Sequence, residues 1–149
     1  MSLTLTHSQA NIIRWLLINL GLGTDPASAG SWPIYAYSEP DTPDAVITVY
    51  NTVGFVDGRA MPTGEVYEHF GFQVRVRATS SKLGITKINE IARQMAESVH
   101  NLTVTIDTET YTVCAITRKS GVIELGKEYP TSERNVFTLN AIVALYRTV

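Results

Sequence analysis

Two kinds of hydrophobic spacing alternate along this chain and divide it into elements. Residues 8–22, SQANIIRWLLINLGL, place Ile12, Ile13, Leu16, Leu17 and Leu20 on one face of a 3.6-residue period, so they read as a helix. Trp15, Ile18 and Leu22 form a second stripe on nearly the opposite side. A helix that is apolar on two sides is buried on two sides. One side meets the sheet; the other meets either more core or a neighbouring subunit. Gly21 and Gly23 end this helix and Pro26 blocks its return. A second helix is read over 83–101. There Ile85, Ile88, Ile91, Ala92, Met95 and Val99, with Leu102 after them, make one narrow stripe. Lys87, Glu90, Arg93, Gln94 and Glu97 take the other side and read as a solvated face.

The remaining segments repeat every two residues. Trp32 to Tyr37 reads as a short edge strand, because Pro33 has no N–H to give a ladder. EPDTPD is a turn. Ala45 to Tyr50 is a strand with Val46, Thr48 and Tyr50 alternating with Ile47 and Val49, so both of its faces are expected to be covered. From Asn51 to Glu68 runs a long glycine-rich loop that also holds Phe55, Val56, Met61, Val66 and Tyr67. Water does not favour such content, so the alternative is a β-hairpin arm turning at Asp57-Gly58. Phe70 to Ala78 is a strand with Phe72, Val74, Val76 and Ala78 on one face and Gln73, Arg75 and Arg77 on the other. LTVTI and TYTVCAITR form a hairpin, Val122 to Leu125 a short strand, and residues 135–147 a long one. In that last strand Phe137, Leu139, Ala141, Val143 and Leu145 share a face. The order predicts one α+β domain over residues 1–149: a mostly antiparallel mixed sheet with two main helices packed on one side.

Composition narrows the function. Charged residues are 17% of the chain, against about 25% in typical domains, which hints that another chain covers some of the surface. A formal net charge of -2 offers no basic field for nucleic acid. The start, MSLTLTHSQ, has no basic region leading into an apolar segment, so it does not read as a signal peptide. The apolar runs fall far short of the roughly 20 residues that cross a bilayer. With one cysteine, Cys114, no disulfide framework forms within the chain. Its apolar surroundings read as those of a buried structural thiol. A soluble protein of a reducing compartment is expected.

Chemistry is hard to find. His7, His69 and His100 have no second histidine or cysteine at metal-ligand spacing. Asp41, Asp44 and Asp57 lie in turns, where aspartate serves its own backbone. No nucleophile elbow, P-loop or dinucleotide fingerprint occurs. No enzyme activity, cofactor or metal is expected. What the fold does not require is the pair Arg75 and Arg77, standing opposite an apolar face directly after the long loop.

The order of signals carries a resemblance over nearly the whole chain. VITVYNTVG, GRAMPTGEVYEHFGFQVRVRA and RNVFTLN, set between the two helices and the hairpin, resemble the tail-terminator and minor-capsid proteins of long-tailed bacteriophages. The lambda-type tail terminator belongs to that group in fold. The family pattern favours Asp where this chain has Asn51. The resemblance implies a virion protein, assembled in the host cytoplasm and then resident in the tail or neck. Such proteins form a ring, typically of six copies, on the last ring of tail-tube protein. The ring stops tube growth and gives the head connector a docking surface, while viral DNA passes through the lumen without sequence-specific binding. No cofactor and no membrane is involved. The contacts expected from this reading are apolar anchors at Trp15, Phe55, Met61 and Tyr67, joined by Arg59, Arg75, Arg77 and Arg134 facing a carboxylate-rich partner or the lumen. A solvated role for the arginines is the alternative. For the whole protein the alternatives are a head-closure or connector protein of the neck, or a monomeric α+β binding domain or small enzyme.

Overall fold

The computed structural model describes residues 5–59, 66–127 and 134–148, with the backbone alone at Asp57, Arg59, Val66 and Tyr67. The elements in chain order are α1 (Gln9–Asn19), β1 (Ile34–Ala36), β2 (Val46–Arg59), β3 (Val66–Ala78), α2 (Ser81–Glu97), β4 (Leu102–Ile106), β5 (Glu109–Arg118), β6 (Ile123–Lys127) and β7 (Asn135–Thr148). The strands form one seven-stranded mixed sheet in the order β1-β2-β3-β7-β5-β4. β1 runs parallel to β2, and every other pairing is antiparallel. β7 is the hub. Its residues 135–143 pair with β3 along one edge. Its other edge is shared, with β6 on residues 135–138 and β5 on residues 141–148.

Register decides which side chains go inside. Ile47 and Val49 of β2 lie across from Val76 and Val74 of β3, which lie across from Phe137 and Leu139 of β7. All six are buried and share one core with Ile12, Ile13, Leu16 and Leu17 of α1 and with Ile88, Ile91 and Met95 of α2. The helices therefore cover the same side of the sheet, α1 over β1, β2, β3 and β4 and α2 over β3, β5 and β7.

The two helices start on serine caps. Ser8 Oγ accepts from Asn11 N–H at 3.2 Å, and Ser80 Oγ accepts from Leu83 N–H at 3.2 Å. Each satisfies a donor that a helix start leaves without an intrahelical partner. Ala10 N–H donates to Asn51 Oδ1 at 3.0 Å. Aspartate offers the same acceptor, so the departure from the family pattern at this position keeps the bond. α1 stops at Asn19 with Leu20 as its cap, and Gly21 follows at φ 77°, a conformation that favours glycine.

The second helix is earlier than the spacing of its stripe predicts, Ser81–Glu97 in place of 83–101. The serine cap fixes its start. Asn101, at φ 52°, turns the chain into β4, so Leu102 belongs to the sheet. Ile85, placed in the apolar stripe by its spacing, is exposed. Gly84 sits where α2 crosses β7, and a Cβ there would run into the Phe137 ring. Alanine is the better helix former by about 1 kcal/mol. Gly84→Ala is nonetheless expected to destabilise the protein by about 1–3 kcal/mol, the cost of overpacking a filled core. Urea unfolding checks this, and a gain in stability would show that the helix can lift off Phe137 freely.

Candidate assembly surface

β2 and β3 run well past the rest of the sheet. The last β3–β7 pair is Phe70 with Val143, and the β1–β2 register ends at Val49. Beyond these points, among the described residues, the two strands pair only with each other, through Phe55–His69, Val56–Glu68, Gly58–Tyr67 and Arg59–Val66. The long loop of the sequence is thus a two-stranded arm. Its turn is not at Asp57-Gly58, because Gly58 still pairs across the ladder with Tyr67. Met61 lies outside the described residues.

The base of the arm is bent. The register shifts between Thr52 and Phe55 and again between Val56 and Gly58, and such bulges bend and twist a strand pair. At the first shift the backbones come so close that a Cβ on Gly54 would collide with the His69 carbonyl, and one on Gly71 would stand 2.5 Å from Val53 O. Gln9 Nε2 of α1 donates to Gly71 O at 3.0 Å, and Lys119 Nζ donates to Val53 O at 3.2 Å, so the base is tied to the body. The arm shows apolar side chains to solvent. Val53 is 83% exposed, Val56 60% and Phe55 48%. Phe55 stacks on His69 at 4.6 Å between ring centroids. Arg59 and Tyr67 also belong to the arm by their backbone pairing.

The arginines do something else. On the side of the sheet away from the helices, Val46, Arg77 and Val136 lie in one row and Thr48, Arg75 and Thr138 in the next. This face was expected to be open at the arginines. The proline-rich turn before β2 folds back over it. Arg77 is 2% exposed and donates to three carbonyls of the turn, Asp44 O at 3.1 Å, Asp41 O at 3.1 Å and Pro43 O at 2.7 Å. Its Nη1 lies 3.3 Å from Glu39 Oε1. Arg75 Nε stands 2.8 Å from Glu39 Oε2, an ion pair without the alignment of a hydrogen bond. Arg134, just before β7, donates to Asp44 Oδ1 at 2.9 Å, Asp41 Oδ1 at 3.1 Å and Asp41 O at 2.6 Å. Burial acts to lower the Arg134 pKa, and the bonds to Asp41 and Asp44 outweigh it, so the net direction is upward and the guanidinium stays charged. On the same face the Tyr50 phenol is pushed up, first by burial and then by the Glu39 carboxylate.

So neither a free cationic patch nor a solvated pair describes Arg77. Its guanidinium is enclosed by its own chain. The acids that pair with these arginines were legible only as turn residues, because nothing local in EPDTPD shows that it folds onto β3. Arg75 keeps 28% of its side chain exposed. Trp15 is half-buried against the core, with the Arg14 guanidinium 4.9 Å from its ring centroid. Arg14 Nε also donates to Ile34 O at 2.6 Å and its Nη2 reaches Asp25 Oδ1 at 2.9 Å, which ties α1 to β1.

Other candidates for chemistry are thin. Among the described residues, no group of three or more His, Cys, Asp and Glu could hold a metal ion. His7 and Tyr111 meet at 2.6 Å between Nδ1 and the phenol oxygen, which pins the start of the chain to β5. Burial pushes the Cys114 thiol pKa up. An open groove of about 410 Å³ between Trp32 and the first turns of α2 is lined by Lys82, Leu83, Thr86, Lys87 and Glu90. Among the described residues, no helix is long and apolar enough to cross a membrane.

A family model described as bacteriophage tail terminator protein matches residues 16–146. The chain belongs to the bacteriophage tail terminator family. Comparison with curated proteins finds no match. Tail terminators are structural proteins of the phage tail, which places this one in the virion tail. For a tail terminator, the apolar arm and the enclosed arginines take on different meanings. The arm is surface that a partner can cover, and the arginine cluster holds the far face of the sheet in shape.

Proposed function

We propose that this tail terminator closes the growing tail tube as a homohexameric ring and offers its other face to the head connector, with a fold of the lambda terminator type. The observation that carries this reading is the β2–β3 arm. Val53, Phe55 and Val56 stand in solvent on a ribbon that the rest of the sheet does not reach. Exposed apolar surface of this kind marks a place for another protein. A closed ring needs two different patches of one surface to meet, and an arm projecting from a compact body supplies one of them. Of Arg75, Arg77 and Arg134, Arg75 keeps the most exposed surface to face a neighbour or the lumen. Phe55, with Arg59 and Tyr67 by their backbone positions in the arm, belongs to the same proposed contact region, together with Met61 from the sequence between them and Trp15 on the flank of α1.

The test is a tube-growth experiment. Purified tail-tube protein polymerised with and without the terminator is measured by electron microscopy. Tubes of limited length, each capped at one end by a ring, are expected. Unchanged tube growth at saturating terminator would reject the capping role.

A further inference from the structure

A second unsatisfied strand edge lies on the opposite flank of the sheet. β6 pairs with β7 along one edge, and among the described residues its other edge pairs with nothing. Ile123 is 41% exposed and Leu125 55%. An uncovered apolar edge invites another strand. β6, IELGK, has no proline; it is five residues long, sets Ile123 and Leu125 beside Glu124 and Lys127, and carries a bulge between Glu124 and Gly126.

β1 and β4 also end the sheet, but the positions of the β6 edge and the arm are related. β6 lies beside residues 135–138, at the start of β7, on the edge away from β3. The arm leaves on the β3 side, past Val143, toward the end of β7. The two edges are therefore diagonal across the sheet and cannot pair within one copy. A head-to-tail repeat of the same chain brings one against the other, which is the geometry of a heterologous contact. Their chemistry also matches. The arm carries Val53, Phe55 and Val56 with the acid Glu68; β6 carries Ile123 and Leu125 with the base Lys127.

We infer that the outer edge of β2, over residues 53–59, adds to the outer edge of β6 in the next copy, so that the sheets of neighbouring subunits join. This rests on the ring reading and names the second half of its contact. Main-chain hydrogen bonds supply the join, and the side chains select the partner. The occupant of the β6 edge is a second copy of this chain.

Cysteine pairing tests it. In a Cys114→Ser background, Val56→Cys and Leu125→Cys are introduced together, both at exposed positions. Rings assembled on tail tubes are oxidised and run under denaturing, non-reducing conditions. A ladder of multiples of the 16.4 kDa chain is expected, and either cysteine alone should give no species beyond a dimer. Separately, Ile123→Lys with Leu125→Lys should keep the unfolding temperature of the wild type and lose assembly. If rings form but neither this cysteine pair nor its neighbours in register, Val53 with Ile123 and Phe55 with Leu125, cross-link, and the lysine variant assembles normally, the edge contact is wrong while the ring stands. If no ring forms under any condition, capping itself is wrong and the edge contact falls with it.

Discussion

Arg77→Ala is expected to cost about 3–5 kcal/mol of folding stability, the loss seen when one partner of a buried ionic network is removed. The side chain donates to the carbonyls of Asp41, Pro43 and Asp44, and its charge faces Glu39. Removing it strips the turn of three of its bonds to β3 and takes a charged partner from Glu39, with Arg134 still holding Asp41 and Asp44. Since whole domains are stable by only about 5–15 kcal/mol, the variant should unfold at much lower urea and show the 39–44 turn open to hydrogen exchange. Arg77→Lys should recover little, because an ammonium cannot present a planar fork to three acceptors. Arg75→Ala is the control. It is partly exposed and its ion pair with Glu39 is misaligned, so about 1 kcal/mol or less is expected. Equal, small losses for the two variants would refute the structural role of Arg77. The combined variant is consequently a poor probe of assembly, since any loss of capping would be confounded by the fold.

The arm provides the clean probe. Val53→Asp, Phe55→Ala and Val56→Asp together should leave the body folded and abolish capping. Val53 and Val56 contact mostly water, so their replacement should cost about 0.5 kcal/mol each. Phe55 gives up its stack on His69, about 0.5–1.5 kcal/mol more. Truncating an interface anchor costs about 2 kcal/mol or more, roughly thirtyfold in affinity at one contact, and a ring repeats the loss at every contact. The expected result is a protein that unfolds near the wild-type midpoint, scatters light as single chains and leaves tubes uncapped. A triple variant that caps at wild-type concentration would remove the arm from the interface.

Much of the fold was written in local spacing. The 3.6-residue stripe of α1 and the two-residue alternation in β3 and β7 each place a row of side chains on one face regardless of what lies beyond. That is why Ile12, Ile13, Leu16 and Leu17, then Phe72, Val74, Val76 and Ala78, and Phe137, Leu139, Ala141, Val143 and Leu145 read as core and are buried. The apolar content of residues 52–68 likewise marked a segment on which Val53, Phe55 and Val56 stand exposed. Helix ends were less legible, since Ser80 and Asn101 act through a cap and a left-handed turn that apolar periodicity does not register.

What the chain order hides is which surfaces meet. Period two states that Arg75 and Arg77 point away from Val74 and Val76, and it is silent on what lies there. Only folding brings Glu39, Asp41 and Asp44 across more than thirty residues onto β3, and across some ninety onto Arg134. Those long-range contacts turned Arg77, an apparently spare arginine, into the support of a sheet face. The same holds for the arm. Sequence showed apolar residues among glycines, but the end of the β3–β7 ladder at Phe70–Val143 decided that they stand free of the body. Side-chain direction follows from backbone period, a local property; enclosure depends on which distant strand or turn arrives, and that is settled by the packing of the whole chain.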